Sequence, residues 1–228
     1  MDAVNEGFNM LLKHNGFVLA DVVGLGKTAI AAMVAKRFLI ENGRENSKIL
    51  VVYPPAVEKN WKNTFTDFKI DKYTKFISNG SLDRILKEHQ DYWKREEYDL
   101  VIVDEAHRFR HHKTGMFNNL QLICKSPRQS RGAIPGSQKK VILVSATPLN
   151  NSPADIFYQI QMFQDARQST LPKTNLTSFF NPLIEQYKEL KIAKKLDMNK
   201  LREIYGEIRQ KVIEPITIRR TRKDLENN

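Results

Sequence analysis

The stretch Gly16-Phe17-Val18-Leu19-Ala20-Asp21-Val22-Val23-Gly24-Leu25-Gly26-Lys27-Thr28-Ala29-Ile30-Ala31 decides how the rest of this chain is read. Phe17-Val18-Leu19-Ala20 has the unbroken apolar character of a strand buried on both faces, and the run from Ala29 to Ala35 is a helix former. Between them lies a turn that carries Gly24 and Gly26 and ends in Lys27-Thr28. A strand, a glycine turn and a helix in this order make a cradle for phosphate. Glycine lets the backbone N–H groups face inward, and the start of the helix adds a favourable dipole. The residues expected around a bound ATP are Gly24, Leu25, Gly26, Lys27, Thr28 and Ala29, with Lys27 reaching the β- and γ-oxygens and the Thr28 hydroxyl ligating Mg2+. The general pattern wants a glycine five positions before Gly26, where this chain has Asp21.

A second constellation follows from the first. Asp104-Glu105-Ala106-His107 comes directly after Leu100-Val101-Ile102-Val103, so both carboxylates emerge past the end of a buried strand, where open α/β sheets place their ligands. Asp104 is expected to hold Mg2+, and Glu105 to orient or deprotonate the water that attacks the γ-phosphate. His107 is read as a polar link from this turn to Ser145-Ala146-Thr147 after a later strand, with Ser145 and Thr147 as the coupling residues. His111 and His112 have no carboxylate or thiol at metal-ligand spacing and are read as surface residues.

Around these two points the chain alternates short β-branched runs with longer helical patterns, which predicts an α/β fold with a central, mostly parallel sheet. Strands are expected at 16–20, 49–53, 75–78, 100–103 and 141–144, and helices at 28–40, 56–65, 82–93 and 117–124. Residues 125–140 hold Lys125, Arg128, Arg131, Lys139 and Lys140 without an acid, and read as an exposed, mobile basic loop that could meet nucleic-acid phosphates. Residues 176–211 read as about two charged helices with an apolar stripe. The formal charge of +11, from 37 Lys and Arg against 26 Asp and Glu, points to a polyanionic partner. A single cysteine, Cys124, excludes an internal disulfide, and the Cys/His content argues against structural zinc. Residues 1–17, with Asp2 and Glu6, do not read as a secretory signal, and no run is long and apolar enough to span a bilayer.

Taken together, these motifs resemble the Swi/Snf-related branch of the superfamily-2 helicase-like ATPases. Asp21 to Thr28 is similar to that family's first motif, and the loop with Gly24 is its short form. Ile49 to Pro54 followed by Asn60-Trp61 is similar to motif Ia, Phe76 to Leu82 falls at motif Ib, Asp104 to Arg108 resembles motif II, and Ser145 to Asn151 resembles motif III. Ile218-Arg219-Arg220-Thr221-Arg222-Lys223-Asp224-Leu225 is similar to the block that closes the first lobe. The resemblance implies a RecA-like, P-loop lobe at 1–165, a helical protrusion at 166–214 and a closing segment at 215–228 that leads to a second RecA-like lobe. It implies a DNA-dependent ATPase that moves along double-stranded DNA, with Pro54, Ser78, Asn79 and Gly80 as nucleic-acid candidates. Val22-Val23 and Ser145-Ala146-Thr147 depart from the chromatin remodellers, which directs the expectation to a cytoplasmic, bacterial or phage protein. Two other readings stay open: an RNA helicase or restriction-type motor of the same superfamily, and a module that binds ATP without hydrolysing it.

Overall fold

A computed structural model describes residues 2–21, 26–109, 114–129, 132–145, 152–193 and 197–220 of the chain. Six strands, β1 (Gly16–Asp21), β2 (Ile49–Tyr53), β3 (Thr74–Ser78), β4 (Leu100–Val103), β5 (Lys140–Ser145) and β6 (Thr217–Arg220), form one sheet in the order β3-β2-β4-β5-β1-β6. Every pairing is parallel. All the strand ends that matter for function therefore open on one edge.

Helices α1 (Asp2–His14), α2 (Lys27–Asn42) and α3 (Glu58–Asp67) contribute to one apolar cluster. The short α4 (Asp83–Leu86), α5 (Gly115–Lys125), α6 (Pro153–Ile160), α7 (Leu176–Ile192) and α8 (Met198–Ile208) contribute to another. The strands divide between the two by strict alternation. Phe17, Leu19, Ile49, Val51, Leu100, Ile102, Ile142 and Val144 go to the first cluster, and Val18, Ala20, Leu50, Val52, Val101, Val103, Val141 and Leu143 to the second. Period-two alternation with both sets apolar is what a sheet covered on both faces requires.

The five predicted strands are present within a residue or two of their expected ends, and the two helices read in 176–211 are α7 and α8. Three expectations are corrected. The sequence reading had no strand at β6, although Ile218 is buried and the strand pairs with β1 from Val18↔Thr217 to Asp21↔Arg220. The helix expected at 82–93 ends at Leu86, because Lys87-Glu88-His89-Gln90-Asp91 offers no apolar position to bury and Glu88 turns left-handed at φ 52°. Trp93 then packs its ring 5.7 Å from Tyr98 under the ammonium groups of Lys48 and Lys75.

The basic loop is the third correction. Arg128, Lys139 and Lys140 turn inward instead of facing solvent. The Arg128 guanidinium, with its side chain 0% exposed, donates to the carbonyls of Ile134, Pro135 and Gly136 and to Asp99 Oδ1 at 3.4 Å. Lys139 Nζ donates to the Ser126 carbonyl at 2.7 Å, Lys140 Nζ to Asn15 Oδ1 at 2.7 Å and Lys125 Nζ to the Gln164 carbonyl at 2.6 Å. Burial pulls the Lys139 and Lys140 amines down to about 8. From the other side, the Asn42 side chain accepts from Ile134 N at 2.9 Å and donates to Ser47 Oγ at 2.9 Å. Arg128, Lys139 and Lys140 are thus committed to the fold, while Lys125 stays exposed and Arg131 lies outside the described residues.

Arg128→Ala would leave Asp99 buried without its counter-charge. The expected loss of stability is roughly 3–5 kcal/mol, read as a shift of the urea unfolding midpoint at unchanged slope, and a shift worth under about 1 kcal/mol would return the loop to solvent.

Candidate functional site

The candidate site begins where β1 meets α2. Gly26 sits at φ 78° and ψ 32°, immediately before α2, and a Cβ there would meet nothing within 4 Å. Glycine is therefore needed for the left-handed turn and not for space. The carbonyl of Gly26 accepts from Ile30 N at 3.0 Å, and Gly26, the N-cap residue, has no side chain to cap the first turn of α2. The start of a helix favours negative charge. Lys27 and Thr28 stand half-buried in that turn. Gly24 and Leu25 lie outside the described residues, while Ala29 follows in α2.

Two strands away, β4 ends at Val103, and the N–H of the next residue, Asp104, extends the ladder to the Val52 carbonyl at 2.8 Å. Because β1 and β4 both pair with β5, their trailing turns open about 10 Å apart on the same edge. The Asp104 carboxylate is held by two donors, Trp61 Nε1 to Oδ2 at 2.7 Å and its neighbour Glu105 N to Oδ1 at 2.8 Å. Burial raises the Asp104 pKa above the ordinary value; the Trp61 hydrogen bond, the Glu105 amide and the positive charge of Lys27 work against that rise. The Lys27 charge thus reaches Asp104, although the two are remote in sequence.

Glu105 occupies a left-handed conformation at φ 49°, a backbone state that costs a non-glycine residue about 1–2 kcal/mol. The turn swings its carboxylate beside His107, with Oε2 3.0 Å from Nδ1, although Nδ1 is not aligned for a hydrogen bond. The described link from this turn to the segment after β5 comes from a residue the sequence reading did not single out. Gln159 of α6, 3% exposed, donates from Nε2 to the Ala106 carbonyl at 3.0 Å. The start of α6 is fixed by a reciprocal pair, the Ser152 hydroxyl with Asp155 N and the Asp155 carboxylate with Ser152 N. A glutamine among Ile156, Phe157 and Ile160 is a polar group on an apolar face, and that need for a partner was its one signal in sequence. Ser145 ends β5 beside Ala20, and Thr147 lies outside the described residues.

The sequence reading gave Asn60 and Trp61 no role at the nucleotide site, yet both bond to it: Asn60 Nδ2 donates to Thr28 Oγ1 at 3.1 Å, and the fully buried Trp61 indole holds Asp104. A tryptophan at helical spacing from Phe65 must bury its ring, and its N–H must then find an acceptor. Further along the edge, Pro54 is buried, Ser78 donates to Ser81 Oγ at 3.0 Å, Asn79 is half-buried and Gly80 is exposed.

Among the described residues no group of three or more His, Cys, Asp or Glu could hold a metal ion. A hydroxyl from Thr28 and one carboxylate from Asp104 nonetheless suit Mg2+, which keeps several waters and takes its remaining oxygens from substrate phosphates.

Residues 1–150 match the family model described as ResIII, "Type III restriction enzyme, res subunit". The chain belongs to this family. The ResIII chain is 27% identical over 164 residues to the uncharacterized ATP-dependent helicase YqhH of Bacillus subtilis, covering 67% of this chain and 27% of that protein. It is 28% identical over 177 residues to a SWI/SNF-related, matrix-associated, actin-dependent regulator of chromatin subfamily A-like protein 1 homolog of Caenorhabditis elegans, covering 69% and 23%. The chain thus spans about a quarter of the length of these relatives. Its fold matches the Sulfolobus solfataricus SWI2/SNF2 ATPase core in complex with dsDNA, with a TM-score of 0.62 at 18% identity over 99% of this chain and 44% of that one. The ResIII fold seen here is accordingly the RecA-like α/β fold of the Swi/Snf core. Among the described residues no helix is long and apolar enough to cross a membrane.

Gln159→Met keeps the volume of the side chain but leaves the Ala106 carbonyl without its donor. Thermal unfolding should show a loss of about 1–3 kcal/mol, and an unchanged midpoint would mean that α6 does not hold the acidic turn.

Proposed function

We propose that this chain is the first, ATP-binding lobe of a DNA-dependent ATPase which, joined to a second RecA-like lobe, hydrolyses ATP to move along double-stranded DNA. Residues 1–165 are the nucleotide lobe, 166–214 its helical protrusion and 215–228 the lead into the second lobe. The observation that carries the reading is the meeting of Thr28 and Asp104 at one sheet edge, where adjacent residues of α3 bond to each of them, with Lys27 next to Thr28 in the same turn. Each feature alone has an ordinary structural explanation. A left-handed glycine at a helix start, a lysine and threonine in the first turn and a half-buried acid on the same sheet edge are together what a triphosphate with a divalent ion needs.

In this assignment the N–H groups at the start of α2 and the Lys27 ammonium hold the β- and γ-phosphates. Thr28 and Asp104 would hold Mg2+, which supplies neutralisation of charge on the transferring phosphoryl group. Glu105 orients the attacking water and takes its proton. His107 stands beside Glu105, with Nδ1 3.0 Å from Oε2. The intact acidic pair supports hydrolysis over mere sensing of nucleotide. Double-stranded DNA as the track draws on the solved neighbour bound to dsDNA and on the formal charge of +11. The second lobe supplies arginines to the transferring phosphoryl group, worth roughly 10³–10⁵ in rate, so this chain by itself binds nucleotide and turns it over slowly.

Two measurements test the assignment. Lys27→Ala should weaken binding of a fluorescently labelled ATP to this chain by at least about tenfold, equivalent to about 1.4 kcal/mol; unchanged affinity would remove the phosphate role. In the two-lobed protein Glu105→Gln should leave ATP affinity within about twofold while DNA-stimulated turnover falls by roughly 10²-fold or more, and retained hydrolysis would exclude Glu105 from the chemistry.

A further inference from the structure

Asn60 and Trp61 are neighbours on α3, and each makes a side-chain donor contact with a different residue of the candidate site: Asn60 Nδ2 with Thr28 Oγ1, Trp61 Nε1 with Asp104 Oδ2. Thr28 and Asp104 come from different elements, and the two contacts span 32 and 43 positions of sequence. We propose that Asn60 and Trp61 are positioning residues for the divalent ion, with α3 acting as a single rigid bracket that orients both of its protein ligands. The inference rests on the reading of Thr28 and Asp104 as those ligands.

The hydrogen-bonding capacity of the four groups supports it. A threonine hydroxyl has two lone pairs and one proton. The Asn60 amide occupies one lone pair, so the hydroxyl is left with one lone pair to offer a cation and a proton for a neighbouring acceptor. An ionised carboxylate has about four acceptor positions, and at Asp104 the indole takes one on Oδ2 and the Glu105 amide one on Oδ1. Donors on both oxygens fix the carboxylate plane and leave each oxygen a further lone pair. The indole is well suited to this task because it is donor-only and cannot compete as a ligand.

Rigidity comes from how α3 is packed. Trp61 is fully buried and its ring lies 5.7 Å from Phe65, which in turn meets Phe76 of β3 edge-on at 5.5 Å. At the front of the helix, Glu58 is paired with Lys62 at 2.5 Å and is hydrogen-bonded to Tyr53 at the end of β2. Consecutive residues on a helix diverge by about 100°, which is how one backbone position sends an exposed amide toward α2 and the next sends an indole beneath the end of β4. Partners behind metal ligands commonly govern metal affinity by roughly 10–100-fold.

The test is binding of fluorescently labelled ATP to this chain, titrated with Mg2+ and repeated in EDTA, for the unsubstituted chain, Asn60→Ala and Trp61→Phe. The expected result is that the Mg2+ concentration giving half of the metal-dependent effect rises about tenfold in each variant, while affinity in EDTA stays within about twofold. Asn60 is exposed, so its truncation leaves the core intact; Trp61→Phe is accepted only with an unfolding midpoint close to that of the unsubstituted chain. An unmoved Mg2+ midpoint in Asn60→Ala, or a loss of equal size in EDTA, overturns the bracket. Thr28→Ala and Asp104→Asn separate the two levels of the argument. If they raise the Mg2+ midpoint and Asn60→Ala does not, only the bracket fails; if they too leave it unmoved, the assignment of the metal ligands fails with it.

Discussion

Strands β1, β2, β4 and β5 lose both faces to helices, so the polar groups this sheet can present without a desolvation cost are those just past the strand ends. Everything chemical about the molecule follows from that constraint. Gly26 to Thr28 and Asp104 to His107 stand at the same edge because all the pairings are parallel, and they lie close because one strand, β5, separates their parent strands. An antiparallel neighbour in place of β5 would not by itself have moved them apart, but reversing β1 or β4 would have put the lysine and the acid at opposite ends of the sheet.

Placing a carboxylate beneath this edge has a cost, and the local structure is arranged around it. Asp104 is raised by burial, and the groups that counter the rise are an indole N–H, a backbone N–H and one ammonium. No full ion pair is formed there among the described contacts. A carboxylate satisfied mostly by neutral donors keeps its attraction for an incoming cation, whereas a tight salt bridge would have to be broken first. Where the fold does use a buried ion pair, between Arg128 and Asp99, the surrounding carbonyls of Ile134, Pro135 and Gly136 take up the rest of the guanidinium.

The loop after α5 shows how misleading net charge is as a guide to surface. Arg128, Lys139 and Lys140 count toward +11 yet are nearly buried, each donating to oxygen atoms of the chain itself. Their work is to hold a long connection against β5, and β5 is the strand between the two halves of the candidate site. Cations on the exposed surface, such as Arg219 on β6 beside the end of β1, remain open to a polyanion.

The residues themselves determined whatever depends on near neighbours. An apolar run followed by glycines, lysine and threonine could be read as strand, turn and helix, and two acids after Leu100 to Val103 as the end of a buried strand, because period and turn chemistry act over a few positions. Only the tertiary structure decided which way the polar side chains go. Asn60 and Trp61 look like a helix surface and a core filler until α3 is laid across α2 and β4; Gln159 becomes a donor to Ala106 only when α6 folds back; and Thr217 to Arg220, with two arginines in four residues, becomes a strand only because β1 offers it an open edge. Hydropathy assigns Lys139 and Lys140 to solvent because it prices a charge without its partners. The partners are carbonyl and amide oxygens brought in by chain folding, and no local pattern announces them.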